Sequence, residues 1–272
     1  MPSYGRIPNP PDDRDWSAEK LHQKLGVDHS KPLPPPDDSL LDKTVREAIS
    51  EGNPFFTTWA GILALWRWIK KHLSPIPPIP PTPSGDGPLW EDKVLLDQGQ
   101  FGTCVGNGGA GFLACAPIED PGVDETFARQ LYYDTTCEDG NCDSTYQNGA
   151  TVRSLAKVLQ KRGRISNYAF ASTVAEVTEW LHNHGPVVIG VDWYYGMEDV
   201  DASGFVHLTN GVAGGHCVFL RQDRGSMKAA LGRNSWGEWG IDNSGDFLIS
   251  DADLEKLLSA NGDFLLAAEV PM

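Results

Sequence analysis

The chain has 272 residues, of which 40% are hydrophobic, so it is long enough for one large domain or two small ones with packed cores. Its formal net charge is −15. Binding to a phosphate backbone requires a basic surface, so this acidity excludes nucleic acid from the expected partners. The first residues are polar and proline-rich where a signal peptide would be apolar, and we expect a soluble protein without a signal peptide.

The five cysteines are too few for a disulfide scaffold, and their odd number leaves at least one free thiol. Cys137 and Cys142, in "CEDGNC", either close a small loop or remain reduced packing residues. The sequence leaves this choice open, and with it the redox compartment. Two cysteines without a nearby histidine are too few ligands for zinc, so we expect no metal site there.

Residues 1–88 contain most of the prolines, in runs such as "KPLPPPDD" and "LSPIPPIPPTPSGDGP". Such runs favour the extended polyproline II conformation and cannot build a core. An aromatic helix is predicted near residues 55–72, and its apolar part is too short to span a membrane. Packing in a groove of this protein or of a partner is favoured over a membrane interface. Residues 1–88 are therefore predicted to form an arm that acts as a propeptide or docks on a partner or assembly.

Residues 89–272 have the composition of a globular domain. Its first part has helical periodicity in "TCVGNGGAGFLACA", "VDETFARQLYYDTT", "NGATVRSLAKVLQKRG" and "TVAEVTEWLHNHG". Its second part has stretches typical of strands, namely "PVVIGVDW", "HCVFLRQD", "AALGRNSW", "GDFLIS" and "FLLAAEV". Helices followed by strands indicate an α+β protein with segregated halves. A cleft between such halves is a common position for a functional site.

Cys104 lies in "LLDQGQFGTCVGNGGAGFL", where a glycine-rich turn leads into a predicted helix. An isolated cysteine is most often a buried packing residue. At the first turn of a helix, however, free amides and the helix dipole would lower the pKa of the thiol and favour the nucleophilic thiolate. Gly102 would leave the approach to the sulfur open. The side-chain amide of Gln98 and the backbone N–H of Cys104 would then stabilise an oxyanion.

Two later segments supply the partners that a thiol nucleophile requires. His216, in "GVAGGHCVFL", is predicted at the start of a strand, where it would act first as base and then as acid. Asn234, in "ALGRNSWGEWG", is predicted at a strand end, where it would orient the imidazole by accepting its other N–H. Trp236 would shield that hydrogen bond from water. The other histidines lack such a setting, and we expect structural or solvated roles for them.

The segments "DQGQFGTC", "GGHCV" and "RNSWGEWG" together resemble the papain family of cysteine peptidases (peptidase C1). The resemblance covers about residues 89–260. The opening "GRIPNPPDDRDW" is similar to the first segment of bacterial and phage-type members. His216 and Asn234 follow Cys104 at a shorter separation than is usual in the family, as a shortened second half would produce.

The resemblance implies a two-lobed papain-like fold, in which a helical lobe carries Cys104 and a strand-rich lobe carries the histidine and asparagine. It implies hydrolysis of peptide bonds through a thioester, without a cofactor, by the catalytic residues Cys104, His216, Asn234 and Gln98. It also implies that a peptide or protein substrate contacts Gly149, Gly215 and Trp236. Phe101 stands where the family usually has a cysteine, which implies the loss of one disulfide.

Two other classes of function stay open on the sequence. The first is a structural or docking protein of a larger assembly, such as a phage particle, that keeps a papain-like body with little or no activity. The second is another thioester enzyme, such as a transglutaminase or a cell-wall amidase, although "RNSWG" fits the papain pattern better. Family members often carry an inhibitory region before the nucleophile, and we expect residues 1–88 to regulate or tether the catalytic body. The compartment, including association with a virion, is left open.

Overall fold

The computed structural model describes residues 4–9 and 85–269. These two ranges belong to the same compact unit, so the short N-terminal range is part of the body formed by the second. The helix expected near residues 55–72 and most of the expected arm lie outside the described residues. Within the described ranges, no helix is long and apolar enough to cross a membrane.

The described helices include all four that the hydrophobic periodicity predicted. The helices are α1 (Cys104–Ala114), α2 (Glu125–Glu138), α3 (Val152–Lys161), α4 (Val174–Asn183) and α5 (Asp251–Ser259). Residues that precede helices α2 to α5 accept a hydrogen bond from a first-turn N–H through their side chains, namely Asp124, Thr151, Thr173 and Ser250. At α4 the cap is reciprocal, because Glu176 also accepts from the backbone of Thr173. Short polar side chains therefore define where these helices begin.

The strands form one antiparallel sheet of six strands in the order β1-β6-β2-β3-β4-β5. They are β1 (Ile165–Phe170), β2 (Val187–Tyr194), β3 (Val212–Arg224), β4 (Ala229–Arg233), β5 (Asp246–Ser250) and β6 (Asp263–Glu269). The five strands expected from composition are confirmed. The expected order of helices followed only by strands is wrong, because β1 lies between α3 and α4 and α5 lies between β5 and β6.

Two hydrophobic cores lie on opposite faces of the sheet. Side chains alternate along a strand, so Val188 of β2 packs in the core around α1 while Ile189 packs in the other core. In the same way, Cys217 and Val218 of β3 belong to different cores. The helix α1 is buried along its whole length, since it lies between α2 and the sheet. The mixed helical and antiparallel-sheet architecture places α1 and β3 side by side, and these elements carry the residues considered next.

Candidate active site

Cys104 is the first residue of α1 and is fully buried. The backbone N–H groups of Cys217 and Gly5 lie near its thiol and act to lower the pKa of that thiol. Cys217 directly follows His216, which is the first buried residue of β3. The fold therefore brings the first residue of α1 next to this part of β3. The two segments that the sequence analysis singled out as nucleophile and base therefore meet, although more than a hundred positions separate them.

His216 and Asn234 form a buried pair. The Nε2 atom of His216 lies 2.8 Å from Oδ1 of Asn234, and an amide oxygen can only accept, so Nε2 donates. Asn234 Oδ1 also accepts the backbone N–H of Ser235 at 2.8 Å. Because Nε2 carries the proton, Nδ1 is the basic nitrogen of the imidazole. That Nδ1 atom is buried and has no hydrogen-bond partner among the described residues.

The indole of Trp236 lies against the His216–Asn234 pair. Its ring lies 4.8 Å from the His216 ring, with an angle of 31° between the two planes. Trp193 approaches the same imidazole with its edge, at a centroid distance of 4.9 Å. His216 and Asn234 are fully or almost fully buried beneath these indoles. A hydrogen bond in such an apolar enclosure is stronger than one in water, so the imidazole is held in one orientation.

Burial keeps both the thiol and the imidazole neutral. It raises the pKa of the Cys104 thiol to about 12, against the opposing effect of nearby backbone N–H groups, including those of Cys104 and Val105. Burial likewise lowers the pKa of His216 to about 4, and the hydrogen bond to Asn234 opposes this only in part. The expectation that the helix start would lower the thiol pKa is therefore wrong for this state, because desolvation exceeds the effect of the first-turn amides.

Gln98 is buried in the loop that precedes Cys104. Its Nε2 atom donates to the backbone oxygen of Phe101 at 2.9 Å, and its Oε1 atom accepts from the hydroxyl of Ser235 at 2.8 Å. The second contact joins this loop to the residue that follows Asn234. The structure thus places Gln98 between the cysteine loop and the asparagine segment, with its amide orientation determined at both ends.

Residues 4–9, hereafter the cleft segment, lie directly over Cys104. Gly5 packs on Gly102 so closely that a Cβ atom on Gly5 would lie 1.9 Å from the Gly102 carbonyl oxygen. The backbone N–H of Gly5 lies near the Cys104 thiol and acts to lower its pKa. The expectation that Gly102 leaves the approach to the sulfur open is therefore wrong, because another part of the same chain occupies the space above it.

The cleft segment is bound through its backbone, as an added strand would be. The Arg6 N–H donates to the Gly215 carbonyl at 2.8 Å. On the other side, the Ala150 N–H donates to the Gly5 carbonyl oxygen at 2.8 Å, and the Ile7 N–H donates to the Ala150 carbonyl oxygen at 2.7 Å. These bonds form a parallel bridge between Arg6 and Ala150. The segment therefore runs between the residue before His216 and the loop before α3.

The three residues expected to bind substrate all contact or adjoin this segment. Gly215 accepts from Arg6, and a Cβ atom at Gly149 would lie 2.3 Å from the Gly5 carbonyl oxygen. Trp236 contacts the ring of Tyr4 edge-on at a centroid distance of 6.2 Å. That residues 4–9 pack at these positions was not predicted, because nothing in "YGRIPN" indicates where the segment packs.

Tyr4 completes the cover over the imidazole. Its ring meets the His216 ring edge-on at 6.0 Å, and its hydroxyl donates to Oε1 of Glu198 at 2.7 Å. Gly214 makes room for it, since a Cβ atom there would lie 2.8 Å from the Cβ and Cγ atoms of Tyr4. Tyr4 therefore packs against the imidazole of His216, which is fully buried.

The structure also answers the question about Cys137 and Cys142 that the sequence left open, and it shows the surroundings of Phe101. Cys137 and Cys142 form a disulfide, which closes the short loop after α2. Phe101, which stands where the resemblance implied a missing cysteine, packs edge-on against Tyr146 at 6.0 Å and under the guanidinium of Arg129 at 5.1 Å. Aromatic and cation–π contacts therefore hold this loop to its neighbours.

The fold of this chain is that of the papain-like cysteine proteases. Xylellain, a cysteine protease from Xylella fastidiosa, aligns with a TM-score of 0.61 and 18% identity over 99% of this chain and 97% of that protein. Procathepsin L 3 from the larval midgut of Tenebrio molitor aligns with a TM-score of 0.50 and 14% identity over 92% of this chain and 98% of its own. A procathepsin B from Trypanosoma congolense aligns with a TM-score of 0.50 and 12% identity over 66% and 73% of the two chains. Neither a family model nor a curated protein sequence matches the chain.

Proposed function

We propose that this chain is a cysteine peptidase of the papain family, with Cys104 as nucleophile, His216 as base and acid, and Asn234 as the residue that orients the imidazole. The observation that carries the proposal is the buried His216–Asn234 pair beneath Trp236. The basic Nδ1 atom of His216 has no hydrogen-bond partner among the described residues. His216 directly precedes Cys217, whose backbone N–H lies near the Cys104 thiol.

The reaction follows from these positions. His216 Nδ1 accepts the thiol proton, and the Cys104 thiolate attacks the carbonyl carbon of the scissile peptide bond. The resulting oxyanion is stabilised by the backbone N–H of Cys104 and by the side-chain amide of Gln98. The imidazolium then gives its proton to the leaving amine, which departs and leaves an acyl thioester. Finally His216 takes a proton from water, the hydroxide attacks the thioester, and the thiol and the carboxyl product are released.

The cleft segment is part of this proposal, as the regulatory element of the predicted arm. It packs on Gly102 and is hydrogen-bonded to Gly215 on one side and to Ala150 on the other, so it occupies the space beside the nucleophile where a substrate backbone would lie. Its Tyr4 ring also contacts the imidazole of His216. Displacement of residues 4–9 would therefore both open the cleft and hydrate the pair, which favours the charged, reactive forms.

Labelling of the full chain with a peptidyl epoxide directed at thiols tests the peptidase proposal. We expect covalent modification at Cys104, located by mass spectrometry, and its loss in Cys104→Ala. The matched control is Cys115→Ala, since Cys115 is equally buried but binds the Trp90 carbonyl at 2.8 Å, away from the histidine. Modification should persist in that variant. If neither the parent chain nor a variant with a weakened cleft segment is labelled, a docking protein with an inactive papain-like body is favoured instead.

A further inference from the structure

Asn107 is a buried asparagine of α1 that the proposed reaction does not use, with 1% of its surface exposed. Its Nδ2 atom donates to the carbonyl oxygen of Thr103 at 3.1 Å and lies 3.0 Å from Oγ1 of the same residue. A carbonyl oxygen can only accept, so these contacts fix the amide with Nδ2 toward Thr103 and Oδ1 away from it. Oδ1 is buried without a hydrogen-bond partner among the described residues.

Asn234 has the complementary group without a partner. Its Oδ1 atom accepts from Nε2 of His216 and from the backbone N–H of Ser235, both at 2.8 Å. Its Nδ2 atom is buried and has no hydrogen-bond partner within the ranges that the structure describes. Buried polar groups are rarely left unpaired, because the water that they lose must be replaced. Here one amide offers an acceptor and the other offers a donor.

Both asparagines line the same small cavity, which is bounded by α1, β3 and the residues around Asn234. The space open to the centre of a water molecule in this cavity is about 10 Å³. One water needs about that much space and two to four polar partners. Asp92, Arg233 and Ser235 line the cavity as well. The cavity is therefore polar and has room for a single water molecule.

We propose that one water molecule binds in this cavity and joins Asn107 to Asn234, which makes Asn107 a positioning residue for the His216–Asn234 pair. The Oδ1 atom of Asn107 can only accept, so the water donates to it and uses a lone pair to accept from Nδ2 of Asn234. A bond mediated by such a water is enthalpically nearly as favourable as a direct one. This inference rests on the proposed peptidase function.

The bridge fixes which end of the Asn234 amide faces the imidazole. With Oδ1 toward the ring, Nε2 of His216 carries the proton and Nδ1 is basic, as removal of the thiol proton requires. If the amide turned over, Nδ2 would face Nε2, and the tautomer protonated at Nδ1 would be favoured instead. A water that accepts from Nδ2 also polarises the amide, which makes Oδ1 a better acceptor. Asn107 therefore acts on the base through Asn234.

A crystal structure of the full chain, at a resolution that shows ordered water, tests the bridge directly. We expect one water within about 3 Å of both Oδ1 of Asn107 and Nδ2 of Asn234. A cavity without a water, or a water that contacts only one of the two amides, would overturn the inference. This measurement depends neither on activity nor on any substitution.

Two variants separate the bridge from the contact with Thr103. Leucine and aspartate have the same branching and number of heavy atoms as asparagine, and both remove the Nδ2 donor, but only aspartate keeps an oxygen toward the cavity. Nitrogen-15 NMR shifts of the His216 ring report its tautomer. We expect Asn107→Leu to raise the ratio of the Nδ1-protonated to the Nε2-protonated form by about tenfold, and Asn107→Asp to keep the parent ratio. A parent ratio in Asn107→Leu, or the same change in both variants, would overturn the inference.

The rate of epoxide labelling at Cys104 connects the bridge to the proposed peptidase. It is measured in the full chain carrying Arg6→Ala, which removes the ion pair at 2.8 Å between the cleft segment and Asp263. In this background Asn107→Leu should lower the maximal labelling rate by about tenfold without changing the dissociation constant of the epoxide, whereas Asn107→Asp should keep both. Equally fast labelling of Asn107→Leu would overturn the inference and leave the peptidase proposal intact. A bridging water and an altered tautomer ratio, without labelling of any chain, would support the bridge and refute the peptidase.

Discussion

Replacing Arg6 by alanine in the full chain should release the cleft segment and make Cys104 reactive. The substitution removes one member of a buried ion pair, a change that typically costs about 3–5 kcal/mol. The cost falls toward the lower limit here, because the positive charge of Arg153 still acts on Asp263. Burial also raises the pKa of Asp263 above its ordinary value. A weakening of about 3 kcal/mol corresponds to about a hundredfold increase in the population with an open cleft.

The rate of Cys104 modification by a thiol-directed epoxide measures that population. We expect the second-order rate constant of Arg6→Ala to exceed that of the parent by about a hundredfold, following the shift in the open population. The matched control is Arg162→Ala, which removes an arginine paired with Asp134 at the end of α3 and should leave the rate unchanged. A rate for Arg6→Ala within about threefold of the parent, with the circular dichroism spectrum unchanged, would refute the reasoning, because thermal opening would then not depend on the ion pair.

Two further predictions concern the catalytic pair itself. In the Arg6→Ala background, Asn234→Ala should lower the rate of epoxide labelling by about tenfold to a hundredfold, because the imidazole loses the acceptor that orients it, and a rate equal to that of the background variant would contradict this role. His216 has its pKa lowered to about 4 by burial, below its ordinary value of 6.5, so the folded state binds fewer protons than the unfolded state between these values. The resulting contribution to stability is fully present above pH 6.5 and should be lost, by about 3 kcal/mol in all, as the pH falls toward 4. Urea denaturation of the parent and of His216→Gln over this pH range measures the free energy of unfolding. Its decrease between pH 6.5 and 4 should be larger in the parent by this contribution, which His216→Gln lacks.

The secondary structure was predictable where local chemistry dominates. Polar caps such as Thr173 and the 3.6-residue periodicity that follows them are visible in a linear sequence, and the corresponding helices are confirmed. The strand Ile165–Phe170 was missed because its burial alternates only weakly, and it is held mainly by pairing with Asp263–Glu269 at the far end of the chain. Such pairing leaves little trace in the strand itself.

The candidate site was partly predictable for a similar reason. The order of Cys104, His216 and Asn234, each in a glycine- or tryptophan-containing setting, indicated residues that would converge, and the structure brings the histidine and asparagine to 2.8 Å. The ionisation of the thiol was not predictable. A helix start lowers a thiol pKa, but complete burial of Cys104 in the folded chain raises it to about 12, and burial depends on tertiary contacts that a local sequence window does not contain.

The sequence by itself determined the helix start at Cys104, the strand that carries His216 and the hydrophobic pattern of both cores, since these depend on neighbouring residues and on their periodicity. Only the tertiary structure decided that Tyr4–Asn9 covers the nucleophile and that Arg6 meets Asp192 and Asp263. These contacts join the beginning, the middle and the end of the chain. Their free energy comes from desolvating charges together in one pocket, a property that exists only after the sheet has formed.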